Sequence, residues 1–546
     1  MGRWRWQQDW PSFSWRTAVG LLRSEMGDQD TNAALEFHTG TSHPHGHLLS
    51  PTHRYHPADQ PLLFKIYKDL EPIPLPGVRP LQGTDAASAL EAIADRVRPP
   101  PAEITGPSLP ALARLLFFSA GITKTIRYPP PWGKIPFRAA ACTGALYHIE
   151  LYLVCADLPG LPAGVYHFDP RGFALRRLRA GDYREALVAA AGDEPSLARS
   201  PAAIVLTDIP WRNAVKYQAR AYRHAFWDSG TILANTLAVA AAQHLKAKVV
   251  LGFADEAVCR LLDIDPDREL PLALVPIRDG QELQPPPAPP VTPLGLAVEP
   301  YSPRERSFPA ILAMHRASSL PDGEAASAWR RKALKTFNPE SARGSAGALT
   351  GPLIELDPIP EPDLPRDSIE AVIVRRGSTR RFAREPIHFR QLSTLLIRSS
   401  RGFESDFAEY PDTQINQAYL IANAVEGLAP GAYVFHRQPP ALERLRSGEF
   451  RDVAGYLGLH QDLAADASAD IFFMNHLPSV LERLGNRGYR AAQLDASIAA
   501  GRIYLAAYAL GFGATGLTFF DDAVTEFFSP HAAGKSAMFL IAIGKK

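Results

Sequence analysis

Two long stretches, 228–245 and 495–510, are Ala-rich and apolar nearly all round, which predicts helices buried on every side. Each leads into a short apolar run of strand length, 249–253 and 516–520. Upstream, 109–119 and 389–399 carry helical spacing, while 150–155 and 417–422 read as strands. Gly164-Val165-Tyr166 and Gly431-Ala432-Tyr433 read as further strands leaving a glycine turn. Helices around a largely antiparallel sheet make an α+β fold, and the same order is written twice. The most apolar span, 503–520, is interrupted by Gly511, Gly513 and Gly516, so it predicts a buried helix running into a strand, with no membrane crossing.

The doubling is visible residue by residue. Gly160-Leu161-Pro162-Ala163-Gly164-Val165-Tyr166 returns as Gly427-Leu428-Ala429-Pro430-Gly431-Ala432-Tyr433, and Arg220-Ala221-Tyr222-Arg223 as Arg487-Gly488-Tyr489-Arg490, both at a spacing of 267. Solenoid periods are roughly 20–50 residues, so this spacing means two whole domains from a duplicated gene. Such a pair most simply reproduces the two-fold interface of a homodimer inside one chain, an intramolecular pseudo-dimer that needs no second copy. The expected division is an extension at 1–80, His- and Pro-rich in part, a first domain at 81–280, a Pro-rich linker with a helical insert at 281–367, and a second domain at 368–546.

Charge narrows the partners. Lys plus Arg number 58 against 57 Asp plus Glu, so no global field favours nucleic acid or an anionic membrane. Cys142, Cys155 and Cys259 are odd in number and widely spaced, which fits neither a disulfide framework nor a zinc ribbon and points to a reducing, cytoplasmic setting. The N-terminus lacks the apolar core of a signal peptide. His38, His43, His45, His47, His53 and His56 cluster without Cys or acidic residues at finger spacing, and no metal site is expected. Asp228, Ser229 and His224 lie along one helical segment without a nucleophile elbow and read as polar groups of a buried helix.

The chemistry begins at Arg375-Arg376-Gly377-Ser378-Thr379-Arg380-Arg381-Phe382. Guanidiniums and a hydroxyl alternating along an extended segment face one way and can hold a phosphate and a ring carbonyl; taken alone, the run reads equally as a solvated basic face. The segment resembles the opening motif of the FMN-dependent nitroreductase superfamily. That resemblance implies flavin contacts from Arg376, Ser378 and Arg380, backbone contacts near flavin N5 from Gly516 and Leu517 in Gly513-Ala514-Thr515-Gly516-Leu517-Thr518, and a phosphate contact from Lys545 or Lys546. Gly511-Phe512-Gly513-Ala514-Thr515-Gly516 also matches GxGxxG, but a dinucleotide site needs a strand before and a helix after, the reverse of the order here.

The first copy is similar to the SagB-type dehydrogenases, azoline oxidases that form thiazoles and oxazoles in peptides. The likeness rests on Leu35-Glu36-Phe37-His38-Thr39, Phe64-Lys65-Ile66-Tyr67, Cys142-Thr143-Gly144-Ala145-Leu146-Tyr147 and Lys216-Tyr217-Gln218-Ala219-Arg220-Ala221-Tyr222-Arg223. Family members usually have Pro-Ser where Ala141-Cys142 stands. The resemblance implies that Lys216 and Tyr217 are the catalytic pair, the phenol taking a proton with the ammonium favouring its ionised form, and that Cys142, Thr143 and Gly144 cover the flavin. The second copy has Arg483 and Leu484 at the pair's positions, and the first lacks the Arg-x-Ser-x-Arg motif, having Arg79-Pro80-Leu81-Gln82-Gly83 and an Ala-rich segment instead. The kept parts complete one composite FMN site. The expected activity is oxidation of an azoline or other peptide-derived ring, with O2 reoxidising the flavin; the alternatives are NAD(P)H-dependent reduction of nitro or quinone compounds, and a non-catalytic flavin-binding or scaffold partner in a peptide-modifying complex.

Overall fold

The computed structural model describes residues 31–44, 59–81, 86–95, 97, 107–129, 133–278, 283–336, 351–408 and 413–546. His45, His47, His53 and His56 lie outside them. Each half builds a seven-stranded sheet in which every neighbouring pair is antiparallel. The first runs, edge to edge, Pro72–Pro74, Ala174–Ala180, Gly164–Asp169, Ile149–Cys155, Ala202–Asp208, Leu270–Arg278, Lys246–Ala247. The second repeats that order as Leu353–Glu355, Pro440–Ser447, Gly431–Arg437, Gln417–Ala422, Ala469–Asn475, Ser536–Gly544, Gly513–Leu517.

The repeated Gly-x-Tyr motif now has a physical cause. A Cβ on Gly164 would lie 2.8 Å from the carbonyl oxygen of Arg179, and one on Gly431 2.5 Å from that of Arg446, so only glycine lets the paired strands approach. The tyrosine two residues on folds back, its hydroxyl donating to the carbonyl of Pro162 in one copy (2.6 Å) and of Ala429 in the other. Both copies carry a bulge at the same place, between Val165 and Tyr166 and between Ala432 and Tyr433.

Helices Ala221–Ala242 and Arg487–Ala509 pack against each other at the centre of the molecule. They begin well before the apolar stretches at 228 and 495, because Arg223, Arg487 and Arg490 are buried and paired, and so belong to the helices despite their charge, with Arg220 paired at the first helix's cap. The helices touch through small residues. A Cβ on Gly230 would meet Ser497, and one on Gly501 would lie 2.6 Å from the Cβ of Ala234. At a spacing of 267, each glycine faces its own counterpart, the signature of a pseudo-two-fold axis. The same axis relates the backbone bonds Ala89 N to Asp367 O (2.9 Å) and Ile369 N to Ala87 O (3.1 Å).

Two reciprocal ion locks tie the halves together. Arg220 and Arg223 of the first domain reach Asp521 of the second, and Arg487 and Arg490 of the second reach Asp255 of the first. Each lock recruits a helix from the segment preceding its sheet: Asn32–Gly40 brings His38 to Tyr489 (3.3 Å), and Pro309–Ala317 brings His315 to Tyr222 (3.2 Å). Arg223 donates to Thr41 as Arg490 donates to Ser318. The duplication therefore reaches back to the helices at 32 and 309. The strands at 72–74 and 353–355, which fall in the extension and linker by sequence, belong to the two sheets. The insert helix, Gly323–Thr336, docks on the second domain through the Trp329 indole, which donates to the carbonyl of Leu484 (2.8 Å).

One hydrophobic core runs continuously through both domains. The run at 249–253 is no continuous strand: Val250 makes a single antiparallel bridge to Leu274 of the first sheet, while Val249 bridges Ser405 in parallel and Asp406 accepts from the amides of Leu251 and Gly252 at 2.8 Å, so an arm of the second domain shares in holding it. The strand that follows the second central helix is Gly513–Leu517, earlier than 516–520, with Phe519 and Phe520 leading into helix Asp521–Phe528. Among the described residues no helix is long and apolar enough to cross a membrane.

Candidate active site

Helix Ile369–Arg375 is capped by Ser368 and delivers Arg376 across the domain boundary. The Arg376 guanidinium donates twice to the carbonyl of Ala139 in the first domain (3.1 and 2.8 Å) and lies 5.6 Å from the Tyr504 ring centroid. Ser378 Oγ is 3.3 Å from the Tyr504 hydroxyl, which also accepts from the amide of Gly516. Arg376, Ser378 and Gly516 thus converge on one tyrosine that sequence reading missed, with Leu517 buried on the strand beside them. Arg380 is exposed, while Arg376 and Ser378 are half-buried. Between Ser378 and Arg380, Thr379 turns in: its amide donates to Ala514 O (2.9 Å) and its buried Oγ1 has no hydrogen-bond partner among the described residues. Of the two terminal lysines, Lys545 pairs with Glu385 (3.7 Å), while Lys546 Nζ sits 3.8 Å over the ring of Tyr508 and its stem flanks Gly513.

From the first domain, the Ala139 carbonyl opens the loop that carries Cys142, Thr143 and Gly144. The loop is pinned by Asp228, which accepts from the Thr143 amide (2.9 Å), the Thr143 hydroxyl (2.8 Å) and the Cys142 thiol (3.0 Å). Burial, with that carboxylate beside it, pushes the Cys142 thiol well up, so it stays a donor. Behind Asp228 stands His148, its Nε2 at 2.8 Å from Asp228 and its Nδ1 at 2.6 Å from Asp208. Cys142, His148 and Asp228 bring ligand-type atoms within 4.8 Å of one another, and the three satisfy one another by hydrogen bonds. A small crevice of about 10 Å³ lies beside the loop, lined by Arg138, Ala141, Cys142, Tyr147 and Asp228.

The second domain keeps this anchor with asparagines in place of the histidine and one aspartate. Asp495 stands at the position of Asp228 and Asn475 at that of Asp208, and Asn416 bridges them with bonds of 2.8 Å on both sides. The constant spacing of 267 could have revealed the Asp228–Asp495 pair, but nothing in the sequence marks His148 as its partner. Burial lowers the His148 pKa, and the two carboxylates outweigh it, raising it to about 9. A raised imidazole stabilises fully below its unfolded value of about 6.5 and loses that contribution as pH climbs through about 9. The thermal midpoint should therefore fall between pH 6.5 and 9, and His148→Asn, copying Asn416, should flatten that fall; an unchanged slope would remove His148 from the anchor.

Lys216 and Tyr217 end helix Pro210–Tyr217. Lys216 Nζ lies 5.0 Å from the Tyr217 ring centroid, and the Tyr217 hydroxyl sits against Gly144, 2.9 Å from where a Cβ would stand. The ring meets His224 edge-on at 4.7 Å. Burial, then the charge of Arg220, holds the His224 imidazole well below its usual range, so it is neutral. Its Nδ1 is 2.8 Å from Asn213 Oδ1, while His224 Nε2 and Asn213 Nδ2 are buried without a partner among the described residues. The loop at 139–147 thus joins Arg376 at one end to Tyr217 near the other.

The nitroreductase family profile matches residues 161–280 and 373–545, more than half of the chain. The chain belongs to the nitroreductase family. It is an oxidoreductase fold of that family in tandem: a crystal structure from Anabaena variabilis ATCC 29413, described as a nitroreductase, aligns with a TM-score of 0.72 at 25% identity over 94% of this chain and 99% of that one. A nitroreductase homologue of Methanocaldococcus jannaschii is 25% identical over 174 residues, 30% of this chain and 86% of its own length. The microcin B17-processing protein McbC of Escherichia coli is 29% identical over 163 residues, 28% of this chain and 55% of McbC.

Proposed function

We propose that this nitroreductase-family chain is a cytoplasmic, FMN-dependent, SagB-type dehydrogenase that oxidises an azoline or other peptide-derived ring. The observation that carries the reading is that Arg376 of the second domain crosses the domain boundary to Ala139, on the loop whose Gly144 packs against Tyr217 of the first domain. The donor set suits the cofactor. Arg376 and Ser378, with Lys546 nearby, offer cations and a hydroxyl for a phosphate, and Thr379 Oγ1 beside them is a buried polar atom without a hydrogen-bond partner among the described residues. FMN, when bound, supplies the hydride acceptor. Tyr217 would then take the ring proton, with the Lys216 ammonium 5.0 Å from its ring centroid and the Asp228-pinned loop packed on its hydroxyl through Gly144. The likeness to McbC, a microcin-processing protein, favours a peptide substrate over a free nitroarene.

Because only one set of parts is complete, the ratio of FMN to chain should be one, measured as extracted flavin against protein; a ratio of two would sink the composite site. Arg376→Ala should weaken flavin binding about ten- to a hundredfold, the effect of losing a charge-assisted contact. Incubation with an azoline peptide under air should give a product two mass units lighter. NAD(P)H oxidation with a nitroarene, and no azoline product, would favour nitro reduction, and a colourless protein would favour a scaffold.

A further inference from the structure

Helix Pro210–Tyr217 stops at Gln218, whose φ of 53° and ψ of −143° lie in a region open to glycine and costly for any residue with a Cβ. The second domain shows what the position asks for. Its matching helix, Leu477–Leu484, stops at Gly485, with φ 64° and ψ −164°. Both copies keep one backbone shape, yet the copy bearing Lys216-Tyr217 holds a glutamine where the copy bearing Arg483-Leu484 holds glycine. Strain gathers at the same place in the facing loop, where Ala145 (φ 55°) and Tyr147 (φ 46°) are also left-handed. Such strain persists where a side chain is needed that glycine cannot supply. Gln218 is partly exposed beside Tyr217, and among the described residues its side-chain amide makes no hydrogen bond.

We propose that Gln218 is a substrate-positioning residue whose amide pairs with a peptide group flanking the reacting ring; this rests on the peptide-ring reading above. A primary amide offers one acceptor and two donors, a match for the C=O and N–H of a peptide group and a poor match for a charged or apolar neighbour. The test compares wild type with Gln218→Gly and Gln218→Leu on two substrates: an azoline inside a peptide, with amides on both sides, and 2-methylthiazoline, which has none. Gln218→Gly should raise the thermal midpoint by relieving strain, raise KM for the peptide azoline about tenfold, and leave turnover of 2-methylthiazoline unchanged. Gln218→Leu, which keeps the strain and loses the amide, should show the same KM rise without the gain in midpoint. An unchanged peptide KM in Gln218→Gly overturns the proposal, and so does an equal loss on both substrates, which would mean that only the placement of Tyr217 had moved. If wild type oxidises neither azoline, the dehydrogenase reading itself fails, and this inference with it.

Discussion

Tyr217→Phe should lower oxidation of the ring substrate by about a hundredfold or more while leaving the protein folded and yellow. The phenyl ring keeps the edge contact to His224, so the substitution removes only the hydroxyl and its contact with Gly144. Without it nothing at that position can take the proton as the hydride departs. Lys216→Ala should act in the same direction, since it removes the ammonium that lies 5.0 Å from the Tyr217 ring centroid. Quinones and nitroarenes need no C–H deprotonation by the protein, so both variants should still pass electrons to such acceptors. Rate measurements on both substrate classes decide the matter: loss on both classes, or on neither, would mean that the pair is structural.

Asp521→Asn should cost about 3–5 kcal/mol of stability, read from urea unfolding, because it strands two buried guanidiniums, Arg220 and Arg223, whose shared partner it removes. Asp255→Asn should do likewise to Arg487 and Arg490. The locks also set acid stability. Burial raises the Asp255 pKa, but the paired guanidiniums prevail and bring it to about 2, and Asp521 lies well below the usual carboxylate range for the same reason. A depressed carboxylate contributes its full stability above the unfolded value of about 3.9 and loses it as pH falls through the folded one. Unfolding should therefore set in below pH 4 and proceed toward pH 2, with a weaker dependence in the Asp255→Asn variant. Equal acid profiles for the variant and wild type would show that the lock does not link the domains.

The fold was readable wherever periodicity was strong. Helix Phe389–Ser399 and strand Gln417–Ala422 stand where their apolar patterns place them, and the spacing of 267 pointed to the pseudo-dimer before any contact was known. Boundaries failed where charge was buried. Arg223 and Arg490 are fully buried, so the central helices begin ahead of the apolar runs that mark them. The extension and the linker concealed their duplication because what they share is two short helices and two three-residue strands, too little pattern to rise above a His- and Pro-rich background. The site was partly readable: the motif at 376–380 and the Lys-Tyr pair were visible because they are contiguous. His148, Asp208, Tyr504 and Tyr508 act through long-range geometry that no local spacing encodes.

The central helices that meet glycine to counterpart set the affinity of the two halves for each other in a particular way. Their docking is unimolecular, governed by the effective concentration that the joining segment imposes and not by the amount of protein in solution. A separate-subunit enzyme sharing its site across an interface sheds cofactor and activity on dilution. Specific activity here should stay constant down to nanomolar protein, so the chain can work at a handful of copies per cell, where a dissociable pair would fall apart.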